Sequence, residues 1–359
     1  MMSSCADIRP YDRIDAAWMT AVLRHAGIDA TVNRVTAQPV GTGQIGDSVR
    51  FRIEYAKAPE IAPSSLVGKF PSSNPESRAH AMRRANYLRE VRFYQHLASS
   101  ARIQTPRCWL ADVDETTHDF VLLMEDLAPA EQGDQLTGVS LDQARSVLVQ
   151  AAKLHASHWG DDSLDDLSWV SNSKASPSDG TSEQRIVSLW EGFKSRYRSW
   201  LRPDWIVVGD QIAPNFYHLV RLHDGPRCLA HCDFRPDNMM FASERGGKPV
   251  TVLDWQSYAY GLGATDVAYF LAGALPSSTR RRAEQDLLSL YHRTLIEEGV
   301  HDYDMDLLRR QYGRGGYLLF MTAAAAAMTV GRTSRGDRMF LQMLGAAAEH
   351  LLEHDACKL

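Results

Sequence analysis

The stretch AHCDFRPDNMMF, residues 230–241, decides how the fold is interpreted. A histidine, two acids, an arginine and an asparagine fall within eight residues, and three apolar residues follow at once. Polar clusters of this density usually mark solvated turns. Here the apolar flanks indicate a loop held at the edge of a core, which is where catalytic groups are commonly placed.

Three side chains around this stretch carry oxygen atoms suited to phosphate chemistry. Asp233 and Asn238 lie within it, and Asp254 follows in VTVLDWQ, residues 250–256. Magnesium prefers such hard oxygen ligands. Phosphoryl transfer needs a base for a hydroxyl, oxygen ligands for magnesium and a cation for phosphate. We therefore expect Asp233 to be the base and Asn238 and Asp254 to be metal ligands, the alternative being ordinary loop capping by Asp and Asn.

A glycine pattern near the N-terminus suits the same chemistry. Gly41, Gly43 and Gly46 form GxGxxG between the strand-like segments 31–40 and 48–55, the second of which alternates apolar and charged residues. A dinucleotide-binding fold would have a helix after the third glycine. A strand follows instead, which favours a flap over nucleotide phosphates. A plain hairpin turn is the alternative.

Lys69, near the end of the apolar segment SLVGKF (residues 65–70), needs a partner if it is buried. Glu90 shares a helical stripe with Tyr87, Val91 and Tyr94, so we expect it to face the sheet and pair with Lys69. Glu76 is the reserve candidate. A structural or solvated pair remains the competing interpretation.

The remaining patterns predict an α+β chain in two parts, 1–128 and 129–359. The first part combines a helix over 12–27, a hairpin, further strands and a long helix over 76–99, while helices dominate the second. Exceptions there are two short strands flanking the turn at 244–249. The Ser, Pro and Gly-rich segment 171–182 is interpreted as a loop, with a mobile lid as one role. The apolar segment 317–330 is too short to span a bilayer and predicts a buried helix.

Composition narrows the function classes. The 44% hydrophobic and 23% charged residues are typical of a soluble globular protein, and 39 basic against 44 acidic residues give a net charge of −5. This balance supports neither nucleic-acid binding nor a membrane surface. Five scattered cysteines indicate a reducing compartment, and we expect the cytoplasm. The first residues lack the apolar stretch of a signal peptide.

The same residues fit other catalytic classes less well. Zinc could be drawn from Cys228, His231, Cys232 and Asp233, but zinc sites usually use two separated ligand pairs, and no second Cys or His pair stands out. The sequence has no GxSxG or HExxH pattern, so neither a serine hydrolase nor a zinc protease is indicated. His155 and His158 could touch a substrate, although a packed or capping role is the simpler interpretation.

Six segments together resemble the aminoglycoside phosphotransferase and choline kinase superfamily, most closely its ecdysteroid-kinase-like and related bacterial branches. The segments, in chain order, are REVRFYQHL (89–97), FVLLMEDL (120–127), AKLHASHW (152–159), HCDFRPDN (231–238), LDWQ (253–256) and GLGATDVA (261–268). The resemblance implies a two-lobed protein-kinase-like fold with a small N-terminal antiparallel sheet lobe and a larger, mainly helical C-terminal lobe. It also implies ATP and Mg²⁺ as cofactors.

The resemblance assigns roles within the HxDxxxxN segment and LDWQ. It makes Asp233 the catalytic base, Asn238 and Asp254 the magnesium ligands, and Arg235 a cation that meets the γ-phosphate. His231 braces the loop.

The same resemblance extends to residues outside that segment. Lys69, paired with Glu90, binds phosphate, and Asp266 ties the catalytic loop through backbone amides. The run Met124 to Leu127 is similar to the hinge, where the backbone of Glu125 and Leu127 would pair with adenine.

Two departures from the family pattern limit the resemblance. Cys232 stands where relatives commonly have glycine, which puts the backbone of the catalytic loop in question. The helices after about residue 276, which shape the acceptor pocket in such folds, match no recognisable segment, and this leaves the acceptor undetermined.

The expected activity is transfer of the γ-phosphoryl group of ATP to a hydroxyl of a small molecule, with no nucleic-acid or membrane partner. One alternative is an aminoglycoside-resistance phosphotransferase, for which Asp161, Asp162, Asp165 and Asp166 could supply an acidic pocket. Another is a nucleotide-binding pseudokinase scaffold. Aromatic segments 190–205 and 317–328 hint at a less polar acceptor, with core packing as the more economical account. The oligomeric state stays open.

Overall fold

A computed structural model describes residues 7–41, 46–171, 183–222 and 224–356. The chain divides into two units, each with its own core. The first unit combines Met1–Ser99, Thr105–Ala128 and Asp254–Gln256. The second unit combines Ser100–Gln104, Pro129–Leu253 and Ser257–Leu359. Gly43 and most of the predicted loop at 171–182, from residue 172 onward, lie outside the described residues.

The first unit is built on an antiparallel sheet. Its strands are β1 (Thr31–Val40), β2 (Gly46–Lys57), β3 (Ser65–Pro71), β4 (Cys108–Val113) and β5 (Phe120–Glu125). Their order is β1-β2-β3-β5-β4, and every neighbouring pair is antiparallel. The predicted hairpin is confirmed, because β1 pairs with β2 through partners such as Val40 and Ser48. Alternation along β2 buries Val49, Phe51 and Ile53.

Helices cover both faces of this sheet. They are a 3₁₀ turn (Tyr11–Arg13), α1 (Ala16–His25), α2 (Pro75–Arg83), α3 (Asn86–Arg92) and a π-helical turn (Phe93–Leu97) that continues α3. Val121 and Leu123 of β5 pack in the core that contains α1, and Phe120, Leu122 and Met124 pack in the core that contains α3. This is why β5 is apolar at successive positions.

The predicted continuous helix over 76–99 is wrong in one respect. Arg84 ends α2, and Ala85 adopts a left-handed backbone with φ 53° before α3 begins. A non-glycine residue pays a steric penalty in this conformation, and nothing in the local sequence indicates it. The break turns α3 so that Tyr87, Glu90 and Val91 are buried together.

The second unit is mainly helical. Its helices are α4 (Leu141–Ser157), α5 (Glu183–Arg196), α6 (Pro203–Arg221), α7 (Gly263–Ala274), α8 (Ser277–Glu297), α9 (Met305–Thr329) and α10 (Ser334–Glu353), with 3₁₀ turns at Asp162–Asp166 and Pro236–Asn238. A capping box between Ser140 and Gln143 starts α4. Trp190, Phe193, Tyr197 and Phe320 are buried in one core cluster, so core packing accounts for much of the aromatic content noted in the sequence.

Short strands position the opening stretch. They are β6 (Glu131–Gln132), β7 (Cys228–Ala230), β8 (Met239–Ser243), β9 (Gly246–Val252) and β10 (Ala259–Gly261). The pair β8 and β9 is the predicted hairpin, and β6 extends it, while β7 pairs with β10. The polar loop 231–238 therefore joins the end of β7 to the start of β8, as its apolar flanks indicated.

The predicted α+β fold class is confirmed by these elements, with an antiparallel sheet in one unit and helices dominating the other. Among the described helices, none combines the length and apolar character that crossing a membrane requires. The segment 317–330 forms most of the buried second half of α9.

Candidate active site

One candidate cluster lies in the first unit; it is here called the Lys69 cluster and is formed by Lys69, Glu90 and Asp254. The Lys69 Nζ lies 2.6 Å from Glu90 Oε1 and 3.0 Å from Asp254 Oδ1. Side-chain exposure is 5% for Glu90 and 21% for Lys69. The predicted partner of Lys69 is thus confirmed, and the reserve candidate Glu76 is not needed.

Burial and charge act in opposite directions on this lysine. Burial alone would lower the pKa of Lys69, but the carboxylates of Asp254 and Glu90 outweigh it and leave the pKa raised. Burial also raises the pKa of Glu90, against the influence of Lys69. The lysine therefore stays a cation at neutral pH, the state needed to bind phosphate.

Asp254 is held by neighbours on both oxygens. Its Oδ1 faces Lys69, and its Oδ2 accepts a hydrogen bond of 2.9 Å from Gln256 Nε2. Gln256 in turn accepts from Asn86 Nδ2 of α3 at 2.8 Å. The backbone of Asp254 is left-handed, with φ 65°, a conformation that aspartate tolerates better than most residues. Asp254 Oδ1 and Oδ2 are hard oxygen donors that fit a magnesium ion.

The glycine pattern is only partly described. Gly41 has φ +76° and an added Cβ would meet nothing within 4 Å, whereas a Cβ on Gly46 would lie 2.9 Å from the Phe70 carbonyl oxygen. Gly46 is thus required by close backbone approach, and Gly41 by its positive φ. Gly41 directly follows β1 and Gly46 begins β2, an antiparallel arrangement that fits both the flap and the plain hairpin turn.

The predicted hinge follows β5. The Glu125 N–H donates to the Arg107 carbonyl oxygen at 2.8 Å, so this donor is already used. Next to it, Asp126 accepts hydrogen bonds from Ser65 at 2.7 Å and from Arg50 at 3.0 Å, which fix the segment to the sheet. An adenine ring bound here would have to use backbone carbonyl oxygens of this segment or the backbone of Leu127.

A separate candidate cluster in the second unit is the loop around Asp233. Asp233 Oδ1 accepts from the Tyr269 hydroxyl at 2.8 Å and lies 3.1 Å from Arg235 Nε. Its Oδ2 accepts from Asn238 Nδ2 at 2.8 Å. With 18% of its side chain exposed, Asp233 is fixed in orientation yet accessible. These are the properties required of a positioned base.

Asn238 presents its amide in one orientation. Its Nδ2 donates to both the backbone oxygen and Oδ2 of Asp233, each at 2.8 Å. The amide oxygen is consequently the atom that a metal ion would bind, and an oxygen donor suits magnesium.

His231 directly follows β7 and is 1% exposed. Its Nε2 donates to the Leu253 carbonyl oxygen at 2.9 Å, because a carbonyl can only accept, and its Nδ1 accepts from the Asp233 N–H at 3.3 Å. The ring therefore braces the loop beside Asp233. With both nitrogens engaged, no lone pair remains for the zinc arrangement weighed from the sequence.

A second network, here called the Asp266 network, holds the loop from below. The buried carboxylate of Asp266 accepts from the His231 N–H at 2.6 Å and from the Cys232 N–H at 2.9 Å. His155 Nε2 lies 3.2 Å from the same carboxylate, and its Nδ1 lies 2.8 Å from the Tyr291 hydroxyl. The expected backbone contacts of Asp266 are confirmed, and His155 is a packed residue beneath the loop.

Cys232 has a left-handed backbone, with φ 64°. This conformation favours glycine and costs other residues about 1–2 kcal/mol. The structure thus gives a physical reason for the glycine expected at this position from the resemblance. The paired N–H bonds of residues 231 and 232 to Asp266 hold the backbone in place despite that cost.

Sequence reasoning missed Tyr269. Burial, reinforced by the Asp233 carboxylate, raises the pKa of Tyr269, so its hydroxyl stays protonated and donates. A signal was present, because Asp266 and Tyr269 are three residues apart in α7 and such residues share a helix face. Both therefore point at residues 231–233.

The acids suggested for an aminoglycoside pocket have other partners. Asp165 is 2% exposed and lies 2.6 Å from Arg227, and Asp162 accepts from the Tyr260 hydroxyl at 3.1 Å. Asp161 accepts from the Ser163 N–H at 3.1 Å. These three contacts are structural.

Comparisons with known proteins identify the family and the fold of the chain. A model of the phosphotransferase enzyme family matches residues 67–301. A solved structure of a candidate aminoglycoside phosphotransferase from Ralstonia eutropha JMP134 has a TM-score of 0.54 at 13% identity and covers 96% of this chain and 99% of its own. This likeness shows a shared fold and not a shared substrate.

Two further structures are similar at lower scores. Plasmodium vivax ethanolamine kinase has a TM-score of 0.48 at 11% identity, with 87% of this chain and 81% of that chain covered. The GDP complex of an aminoglycoside 2'-phosphotransferase-IIIa mutant has a TM-score of 0.49 at 13% identity, with 96% and 98% covered. Scores below 0.5 support no conclusion on substrate. No protein of curated function matches the sequence at a significant level.

Proposed function

Because the chain belongs to the phosphotransferase enzyme family, we propose that it transfers the γ-phosphoryl group of ATP to a hydroxyl of a small molecule, with Mg²⁺. The observation that carries the proposal is the Lys69 cluster, in which one lysine contacts both Glu90 and Asp254. An ion pair between a strand lysine and a helix glutamate, beside a metal-binding aspartate, is what kinase chemistry requires.

The proposed reaction places a role on each group. Asp233 accepts the proton of the acceptor hydroxyl. The hydroxyl oxygen forms a bond to the γ-phosphorus while the bond between the γ-phosphorus and the leaving oxygen of ADP breaks. Lys69 binds nucleotide phosphate, and Arg235 meets the transferred phosphoryl group. Asp254 and Asn238 would hold Mg²⁺, which supplies charge neutralisation on the phosphates when it is bound. Tyr269 and His231 keep Asp233 in orientation.

Nucleotide binding is proposed for residues 1–128. In this proposal Gly41, Gly43 and Gly46 form a flap over the phosphates, and the backbone of Glu125 and Leu127 pairs with adenine. Residues 129–359 supply the catalytic loop and the acceptor site. We also propose a cytoplasmic location, in keeping with ATP use and with Cys108, Cys228 and Cys232, which form no disulfide within the described part of the chain.

The acceptor is proposed to be a small alcohol that is not a polycation. Around Asp233, carboxylates already take part in ion pairs with guanidinium groups, since Asp237 lies 2.9 Å from Arg235 and Asp134 lies 2.6 Å from Arg335. A polycationic aminoglycoside would have to compete with these arginines. Among the described residues, these contacts do not favour the aminoglycoside alternative.

The first experiment is ATP consumption with Mg²⁺ across a panel of aminoglycosides, choline-like amines, sugars and hydroxysteroids. We expect acceptor-dependent turnover that Asp233→Asn reduces by about 10²- to 10⁴-fold, because general-base catalysis contributes that much. Asp286→Asn, an exposed acid of α8, is the control and should keep full activity. Tight ATP binding without turnover on any acceptor would instead favour the pseudokinase scaffold, and full activity of Asp233→Asn would refute the assigned base.

A further inference from the structure

Three side chains from two helices and a helix end meet in the second unit, apart from the groups assigned to phosphoryl transfer. Glu284 of α8, His350 of α10 and His354, which caps α10, each offer one ligand atom, and these atoms lie within 4.8 Å of one another. The histidines are four residues apart, a spacing that places both rings on one helix face and is common among zinc ligands. Their ring centroids are 4.7 Å apart.

His350 carries an unused lone pair. Its Nε2 lies 2.9 Å from the Tyr312 carbonyl oxygen, which can only accept, so Nε2 bears the proton and Nδ1 bears the lone pair. The residue is 0% exposed, and Nδ1 has no hydrogen-bond partner. A buried nitrogen lone pair without a partner is costly unless something binds it.

Glu284 is oriented by its own neighbours. Its Oε2 accepts from the Tyr312 hydroxyl at 2.8 Å and from Arg280 Nη1 at 2.7 Å. Its Oε1 lies 3.2 Å from His354 Nε2, an atom that otherwise has no partner. Arg280 also contacts Glu353, so its charge is offset by two carboxylates. Orientation of a ligating carboxylate by surrounding hydrogen bonds is typical of metal sites.

Glycines of α9 make room for both histidines. A Cβ on Gly313 would lie 2.9 Å from His354 Cβ, and one on Gly316 would lie 2.7 Å from His350 Cδ2. Glycine within a helix is destabilising relative to alanine. Two such positions opposite the two rings indicate a space shaped for the imidazoles.

We propose that Glu284, His350 and His354 form a binding site for a divalent transition metal of the zinc type. Two imidazole nitrogens and a carboxylate oxygen are a zinc donor set, and the fourth position would take water. The 3.2 Å between Glu284 Oε1 and His354 Nε2 is close to the ligand spacing of about 3.3 Å in a tetrahedral site with bonds of about 2.0 Å. The widest pair must close by roughly 1.5 Å, which side-chain rotation of the partly buried His354 and Glu284 can supply.

The proposal is tested by titrating the full chain, freed of metal with a chelator, with Zn²⁺ in excess Mg²⁺ and without nucleotide or acceptor. Calorimetry should show one equivalent bound, with a rise in Tm of about 5 °C when Zn²⁺ exceeds Kd about 100-fold. His354→Gln and Glu284→Gln should each weaken binding by at least about tenfold. His301→Gln, at an exposed histidine outside the cluster, should bind like the wild type.

X-ray absorption of the Zn²⁺-loaded wild type gives a second test that does not depend on whether the variants fold. Nitrogen and oxygen scatterers with an imidazole pattern support the site, whereas sulfur scatterers would place the metal at cysteines and overturn the proposal. The absence of stoichiometric binding, or equal binding by wild type and both folded variants, would also overturn it. None of these outcomes depends on kinase activity, so this proposal and the proposed function can fail separately.

Discussion

The Lys69 cluster and the Asp266 network neutralise buried carboxylates in different ways. Glu90 is matched by a full positive charge on Lys69, whose side chain remains 21% exposed. Asp266 is matched by two backbone N–H groups and His155, and neither side chain of the Asp266–His155 pair is exposed. A ligand's phosphates can reach the first kind of partner, but nothing can replace the second without moving the backbone. In keeping with the proposed function, we expect the first region to bind phosphate and the second to support the catalytic loop.

Replacing Asp254 should break the Lys69 cluster with the largest functional effect. In Asp254→Asn the proposed charged metal ligand becomes neutral, and we expect kcat/KM to fall by about 10³-fold or more, since a metal contributes several kcal/mol to transition-state stabilisation. The Tm should change little, because Asp254 is partly exposed. Asp29→Asn, at an exposed aspartate of the same unit, is the control. A large drop in Tm with retained activity would reverse the comparison.

Replacing Asp266 should produce the opposite pattern. Asp266→Asn puts an amide donor where backbone donors now point, and we expect the free energy of unfolding to fall by about 3 kcal/mol. Urea unfolding measures this, with Asp286→Asn as the matched surface control. If the folded variant keeps its stability but loses activity, Asp266 takes part in catalysis and not in support.

A Tyr269 variant can distinguish the orientation of Asp233 from its role as the proposed base. Tyr269→Phe removes one hydrogen bond to Asp233 Oδ1 and leaves Arg235 and Asn238 in place. We expect kcat to fall about tenfold with KM nearly unchanged, which corresponds to about 1.4 kcal/mol, the worth of one good hydrogen bond. A change confined to KM would mean that the tyrosine contacts the acceptor.

The smallest expected effect concerns the strained backbone above Asp266. Cys232→Gly should be more stable than Cys232→Ala by about 1 kcal/mol, because only glycine is relieved of the left-handed penalty. Paired urea titrations of the two variants measure the difference. Equal stabilities would show that φ 64° at residue 232 carries no cost in this setting.

Contacts could be predicted from the sequence where the residue types and the helix or strand spacing indicated the same partner. Lys69 and Glu90 lie on a strand and a helix that the apolar pattern of the sequence predicted, and their contact is confirmed at 2.6 Å. The left-handed Ala85 was not predictable, since the tertiary packing of α3 outweighs its local preference.

Contacts between helices that are far apart in the chain could not be predicted from the sequence. The pair His350 and His354 was overlooked when no second His pair was recognised, and its partner Glu284 comes from another helix, so local periodicity gives no sign of the contact. Tyr269 was missed for a similar reason, because its role depends on which loop α7 meets. The roles assigned to individual site residues remain predictions for the variants above.

The three residues Asp254–Gln256 have a consequence for how the protein is made. They belong to the first unit, supplying the second carboxylate of the Lys69 cluster and Trp255, which stacks on Phe93 at 3.9 Å. A ribosome adds roughly 5–20 residues per second, so these residues emerge many seconds after residue 128. During that interval Lys69 has only Glu90 as a partner in the cluster. The first unit is completed only when Asp254–Gln256, which lie between two segments of the second unit in the chain, have been synthesised.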